Sequence, residues 1–361
     1  MKKKYNTQFK VGTRIISQKS PTYFIADIAA NHDGEISRAK ELIWIAKEAG
    51  ADCAKFQHFL PEKIISDYGF KNMNSKVSHQ KNWKDSVFKI YEKYHTKRNW
   101  TNDLVETCKK AKIDFMTTPY DIEAIEMFKD KVPGFKVGSG DLTFYDLLNH
   151  LSKIKKPIFL ATGASTLQEV KDAVKLILKK NKNICIMQCN TNYTNDQNNF
   201  NFLNLNVIKQ FKKIWPGLPL GLSDHTQGHT SVLGAIALGV RVVEKHFTDE
   251  NSREGPDHGF AMNPKTWRVM VESSRELEAS LGDGEKKIEK NENLTAVIQR
   301  RSIRLKVNLK KNSIIKNEHL ECLRPRPKNA ISPMLKKKLI NKKLIKNKVK
   351  GDFISWKDIE K

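Results

Sequence analysis

From Tyr23 to about Gly282, short apolar runs alternate with longer amphipathic stretches. The short runs are YFIADIA, DCAKFQ, DFMTT, FKVGS, PIFLATG, ICIMQC, LPLGLS and VRVVEKHF. Each is too short for a helix, and most are rich in β-branched or aromatic residues, which marks strands. Between them lie segments with apolar residues at helical spacing, such as ISRAKELIWIAKEAG, LQEVKDAVKLILKK and HTSVLGAIALG. A last helix is expected from about Pro264 to Leu281. Eight strands alternating with helices over about 260 residues predict an α/β fold, a (β/α)8 barrel. An open doubly wound sheet is the structural alternative, but no GxGxxG follows the first strand.

The alternation breaks in two places. About 40 residues rich in Lys, Asn, Tyr and Trp separate Gln57 from Trp100. An insertion of that length at the C-terminal face of a barrel is expected to cover or shape an active site. After Leu281, GDGEKKIEKNEN carries no apolar period, and from Arg300 onward short β-like runs are separated by turns. The organisation read from this is a barrel over 1–282, a linker over 283–298 and a small, mostly β domain over 299–361.

Composition narrows the class. No apolar run approaches the roughly 20 residues of a membrane span. The basic start MKKKYNTQFKVG lacks the apolar core of a signal peptide. Five scattered cysteines, an odd number, suit a reducing cytoplasm. Cys185 and Cys189 share one side of a strand and read as buried thiols. The net charge of +25 is concentrated in the tail, where Arg301–Lys361 holds 19 Lys/Arg against 5 Asp/Glu. Lysine and asparagine are abundant along the whole chain, so solvated faces account for much of this charge. The tail lacks the aromatic–basic interleaving of a nucleic-acid groove, and no nucleic-acid partner is expected.

Candidate chemistry gathers at the strand ends. GLSDHT and EKHF place His225 and His246 at the ends of two successive strands, where α/β folds build their sites. Imidazole is the commonest protein metal ligand, so this pair is a candidate metal site. Asp27, Gln57, Thr118, Ser139, Asp141, Thr191, Tyr193 and Ser223 fall at or just beyond other strand ends. Lys55 and Lys136 sit inside otherwise apolar strands. A buried lysine is costly without an anion. The partner is either an internal carboxylate or a bound phosphate or carboxylate.

NHDG, AKFQ, TTPYD, KVGSGD, ATGAS, GLSDHT, EKHF and GPDH occur in the order seen in the sialic acid synthase family, which this chain resembles from about Tyr23 to Ile359. RPKNAISP resembles the RPxxGI segment of that family's antifreeze-like (SAF) domain. The resemblance implies a condensation of phosphoenolpyruvate with N-acetylmannosamine or a related hexose, giving a nonulosonic acid. N-acetylneuraminate, legionaminate and pseudaminate synthase are the variants it leaves open. It implies a divalent metal, manganese or magnesium, on His225 and His246. It further implies that Lys55, Thr118, Lys136, Ser139 and Ser223 hold phosphoenolpyruvate, with Asp257 on the sugar hydroxyls and Tyr193 in the sugar-side loop. Arg326 matches the arginine that reaches into a partner's barrel, so a domain-swapped homodimer is expected.

The chain departs from the family pattern at several positions. Asp27 and Asp141 stand where glutamates are usual, each shortening the reach of a candidate base by one methylene. Ala161 and Thr191 replace a Ser and an Asn near the ligand, and RPKNAI lacks both glycines of RPGxGI. The competing non-enzymatic reading, a degenerate barrel serving as a basic binding module, requires lost ligands, yet both histidines and both lysines are present.

Overall fold

The computed structural model describes residues 5–73 and 83–360, so residues 74–82 of the long insertion lie outside the described residues. Two compact units are formed, Met1–Gly282 and Asp283–Lys361. The first opens with a hairpin, β1 (Gln8–Val11) and β2 (Arg14–Ser17), paired antiparallel. Eight parallel strands then close into a barrel: β3 (Tyr23–Asp27), β4 (Cys53–His58), β5 (Asp114–Pro119), β6 (Phe135–Val137), β7 (Ile158–Ala161), β8 (Ile184–Cys189), β9 (Leu220–Asp224) and β10 (Val242–His246). Each apolar run expected to be a strand contributes one of them, and β10 pairs β3 to complete the ring.

These strands are buried on both faces, which is why they read as nearly continuous apolar runs. Outward residues such as Phe24, Phe56, Leu160 and Val243 join the core beneath the surrounding helices. The helices follow the amphipathic rule. In Leu167–Leu178 the buried residues are Val170, Ala173, Val174 and Ile177, and Thr166 and Glu169 form a capping box at its start. The last barrel helix runs Pro264–Ser280, capped by Asn263 with proline in its first turn.

Inside, the lower barrel is an apolar plug of Tyr23, Ile25, Cys53, Met116, Phe159, Cys185, Met187 and Val242. Phe9, Val11 and Ile16 of the hairpin belong to the same cluster, so β1 and β2 close the bottom. Sequence reading missed this hairpin. Its strands are four residues each, and only Phe9, Val11 and Ile16 are buried. The signal was the alternation of QFKV across the Gly12–Thr13 turn.

The insertion is partly helical, with Pro61–Ile64, Asp67–Lys71 and Val87–Tyr94. The second unit carries β11 (Ser302–Leu305) against β12 (Leu320–Leu323), with further bridges such as Leu309–Lys348 and Leu344–Ile359. Ile303, Leu305, Ile315, Leu320 and Leu344 are among the side chains of its core. The segment read as a linker is more ordered than expected, because helix Asn293–Gln299 begins within it. No helix among the described residues is long and apolar enough to cross a membrane.

Candidate active site

Strand parity builds the site. Inward residues alternate along each strand, and above the apolar plug the inward positions become polar. Asp27, Lys55, Thr118, Lys136, Ser223, Glu244 and His246 therefore converge on one recess at the C-terminal ends, with Gln57, Ser139, Cys189, Tyr193 and His225 at its edge. The recess is about 30 Å3, room for a water or two.

Both interior lysines have carboxylate partners. Lys55 Nζ lies 2.8 Å from Asp27 Oδ2 and donates to Thr118 Oγ1 at 3.1 Å. Lys136 Nζ lies 2.7 Å from Glu244 Oε1 and donates to Ser223 Oγ at 3.4 Å. Gln57 Nε2 donates to Asp27 Oδ2 at 3.0 Å, and Ser223 Oγ to Glu244 Oε1 at 3.3 Å. Of the two sequence readings, the internal ion pair is thus present for each lysine. The sequence places Glu244 at the end of the eighth strand, but assigns it no role and no lysine partner. Two residues before His246, it shares that residue's inward parity, which was the available signal.

The two candidate bases are pushed apart. Burial alone would raise Asp27, but Lys55 and then His246 hold its carboxyl below the usual range. Asp141 is pushed up to about 6 by burial, and its Oδ2 is buried without a hydrogen-bond partner. A carboxyl near 6 is the better proton acceptor at neutral pH.

His225 Nδ1 donates to the Asn190 carbonyl at 2.9 Å, which fixes a tautomer with its lone pair on Nε2. Burial lowers the His225 pKa, but contact with Cys189 and the Asn190 carbonyl leaves it raised. Burial drives His246 down to about 3, so its ring is neutral at physiological pH. The two ring centroids are 5.3 Å apart. His246 Nδ1 is buried with no hydrogen-bond partner, 3.7 Å from Asp257 Oδ2, and Nε2 lies 3.7 Å from Asp27 Oδ2. Tyr193 stacks edge-on at 4.5 Å from His225, and Phe260 at 4.9 Å from His246.

His225 and His246 are the residues that would hold a divalent ion. Among the described residues no three His, Cys, Asp or Glu side chains could hold a metal alone. Two imidazoles are nitrogen donors, whereas magnesium and manganese prefer oxygen, so such an ion here would take most of its ligands from substrate and water. The orphaned His246 Nδ1 is the observation favouring an additional ligand here.

Above the recess opens a cleft of about 430 Å3. Gln57, Ser139, Asp141, Thr191, Tyr193 and Asp257 line it beside His246, and Trp83, Ile90, Tyr91 and Tyr94 come from the insertion. Asp257 accepts from the Ala30 amide at 3.3 Å. Gly163 is required for the approach of two of these residues. Its amide donates to Ser139 Oγ at 3.0 Å, and a Cβ there would overlap Thr191 Oγ1. Tyr120, half-buried beside Gln57, and Cys189 also belong to the site, and neither was singled out from the sequence as a substrate contact.

Arg326 lies in the second unit, where its Nε donates to the Ala330 carbonyl at 3.3 Å and it borders a cavity with Arg300 and Trp356. Other polar residues near strand ends are structural. His32 pairs with Thr96, and His258 bridges Thr248 and Asp33.

A family profile described as the NeuB family matches residues 42–286. The chain is 34% identical to the uncharacterized protein MJ1065 of Methanocaldococcus jannaschii, over 98% of each chain. It is 33% identical to the N,N'-diacetyllegionaminic acid synthase of Campylobacter jejuni, over 92% of this chain and 98% of that one. Its fold is similar to the N-acetylneuraminic acid synthetase of Leptospira borgpetersenii, with a TM-score of 0.70, 24% identity, and coverage of 80% and 94% of the two chains.

Proposed function

The chain belongs to the NeuB family, and from that premise we propose that it condenses phosphoenolpyruvate with an N-acylated hexose and water, giving a nonulosonic acid and phosphate. The observation that carries the proposal is the stacking of two compartments. A recess with two lysines and several hydroxyls lies beneath a cleft of sugar size, and the two histidines stand at their junction.

Carbon 3 of phosphoenolpyruvate bonds to the aldehyde carbon of the open-chain sugar. Water adds at carbon 2, and the carbon–oxygen bond to phosphate breaks. Lys55 and Lys136, with Thr118, Ser139 and Ser223, bind and orient phosphoenolpyruvate. Their carboxylate partners Asp27 and Glu244 keep both ammonium groups in place before substrate arrives. At about 30 Å3 the recess must widen to admit phosphoenolpyruvate. Gln57, Thr191, Tyr193 and Asp257 face the sugar. A manganese or magnesium ion on His225 and His246 would polarise the sugar carbonyl as a Lewis acid. Arg326 acts from the second unit of a partner copy in a homodimer, its guanidinium meeting sugar or acyl oxygens.

Asp141 takes the proton from the attacking water. With a carboxyl near 6, activity rises through about pH 6, and Asp141→Asn removes that limb from the kcat/KM profile. The sign for stability is opposite. A carboxyl raised in the folded state contributes fully below its unfolded value of 3.8, and that contribution is lost as pH rises through about 6. A profile of Asp141→Asn that keeps the limb assigns the base elsewhere.

The proposal is tested by phosphate release from phosphoenolpyruvate with manganese and a 2-acetamido hexose, before and after chelation. Turnover is expected, and chelation is expected to stop it. No turnover with any such hexose overturns the synthase reading, and turnover that survives exhaustive chelation overturns the metal role. Mixed His246→Ala and Arg326→Ala chains test the dimer in the same assay. Random reassociation should restore roughly a quarter of the wild-type rate if Arg326 works in trans. No recovery places it in its own barrel, and full activity of Arg326→Ala alone places it outside the site.

A further inference from the structure

One rung on the outer face of the barrel departs from the pattern around it. Outward residues of β9 and β10 meet as register partners, and Leu222 opposite Val243 belongs to the apolar core beneath the helices. At the next rung toward the site Asp224 stands opposite Lys245, with side chains 0% and 1% exposed. Lys245 Nζ lies 2.6 Å from Asp224 Oδ2. Two charges held out of water cost desolvation that an apolar pair of similar volume would avoid. Burial of surface therefore does not account for this rung.

Its hydrogen bonds show what it holds. Asp224 Oδ1 accepts from the Thr226 amide at 3.0 Å and from the Thr226 hydroxyl at 2.8 Å. Oδ2 accepts from Ser231 Oγ at 2.6 Å, at the start of helix Thr230–Ala237. Lys245 donates a second bond to the Thr226 carbonyl. The turn of Asp224, His225 and Thr226 is thus tied at both ends to one residue of β10, while His225 between them borders the recess. His246 follows Lys245 directly, on the opposite face of the same strand. Each histidine is one peptide bond away from a member of the pair.

We propose that the Asp224–Lys245 ion pair is a positioning element, which from the outer face of the barrel holds His225 and His246 in fixed register, as a shared divalent ion requires. The inference rests on the reading of those histidines as the ion's ligands. The pair touches neither ion nor substrate. It acts through the backbone, by fixing two strand ends that carry one imidazole each, with ring centroids 5.3 Å apart. A misplacement of about 1 Å can lower a rate about a hundredfold, so a rung without contact to the chemistry can still control it.

The test replaces the pair by apolar residues of similar volume, Asp224→Val together with Lys245→Met, in the full chain. Thr226 Oγ1 and Ser231 Oγ, 2.9 Å apart, then still satisfy each other. The thermal melt should stay near wild type, because such replacements are often neutral or stabilising. Manganese binding, read by calorimetry, should weaken about 10- to 100-fold. The kcat for phosphate release should fall about a hundredfold, with the KM for phosphoenolpyruvate little changed, since Lys55 and Lys136 lie on the inner face. Asp224→Asn keeps an acceptor for Thr226 and is the second variant, expected to lose affinity in the same direction but by less. Wild-type manganese affinity and kcat in either variant, once folded, overturn the inference. So does a loss confined to the melting temperature, because the pair would then serve stability alone. A wild-type chain that binds no manganese is a different result, one that overturns the metal reading itself and the inference with it.

Discussion

His246→Ala should lower phosphate release by about a thousandfold or more, because several kcal/mol of transition-state charge stabilisation are lost at 1.36 kcal/mol per tenfold. The side chain ends β10 at the junction of recess and cleft, within 3.7 Å of both Asp27 and Asp257. Removing it takes away one of the two imidazoles proposed for the metal and leaves His225 alone. The fold should survive, because His246 Nδ1 has no hydrogen-bond partner to lose and the gap opens toward a cleft that water can fill. A thermal melt near wild type, together with weaker manganese binding by calorimetry, is the expected pattern. An unchanged rate would remove His246 from the reaction.

Lys136→Met should be costly to stability as well as to activity. Its ammonium is the ion-pair partner of Glu244 at 2.7 Å, and both side chains are buried. Without it Glu244 Oε1 keeps only the Ser223 hydroxyl, while Oε2 is already without a partner. Stranding a buried charge in this way costs about 3–5 kcal/mol. Adding Glu244→Gln removes the stranded charge and should recover much of that stability, measured by denaturant unfolding. Phosphate release should stay absent in both variants, because the cation facing phosphoenolpyruvate is still missing. Activity in the double variant would make Lys136 a structural residue only. An unchanged unfolding midpoint in Lys136→Met would deny the ion pair its energetic role.

The lysines also show how far the sequence could be read. Lys55, Lys136 and Lys245 all interrupt apolar strands. Lys55 and Lys136 point into the barrel, whereas Lys245 points out and pairs with Asp224 at 2.6 Å. Within EKHF the parity could be read directly, since Glu244 and His246 must share a side and Lys245 must oppose them. That step, taken from the sequence, would have turned Glu244 inward, toward the buried lysines, and set Lys245 apart. The hairpin β1–β2 was harder, because a run of four residues with two buried positions carries little periodic signal.

Local pattern alone settled the eight strands, the helices between them and the face each strand residue shares with its neighbours. A strand's period of two and a helix's period of 3.6 are properties of the chain itself. The motifs likewise pointed to the chemistry, because a buried lysine or a pair of strand-end histidines demands a partner wherever it lies. Which partner was decided only by closure of the barrel. Asp27 meets Lys55 across one strand boundary, but Lys136 meets Glu244 from 108 residues away. Asp141 is held near 6 by burial in a cleft whose other wall comes from the insertion. Those pairings depend on register, strand tilt and desolvation summed over the whole ring, and no window of sequence contains them.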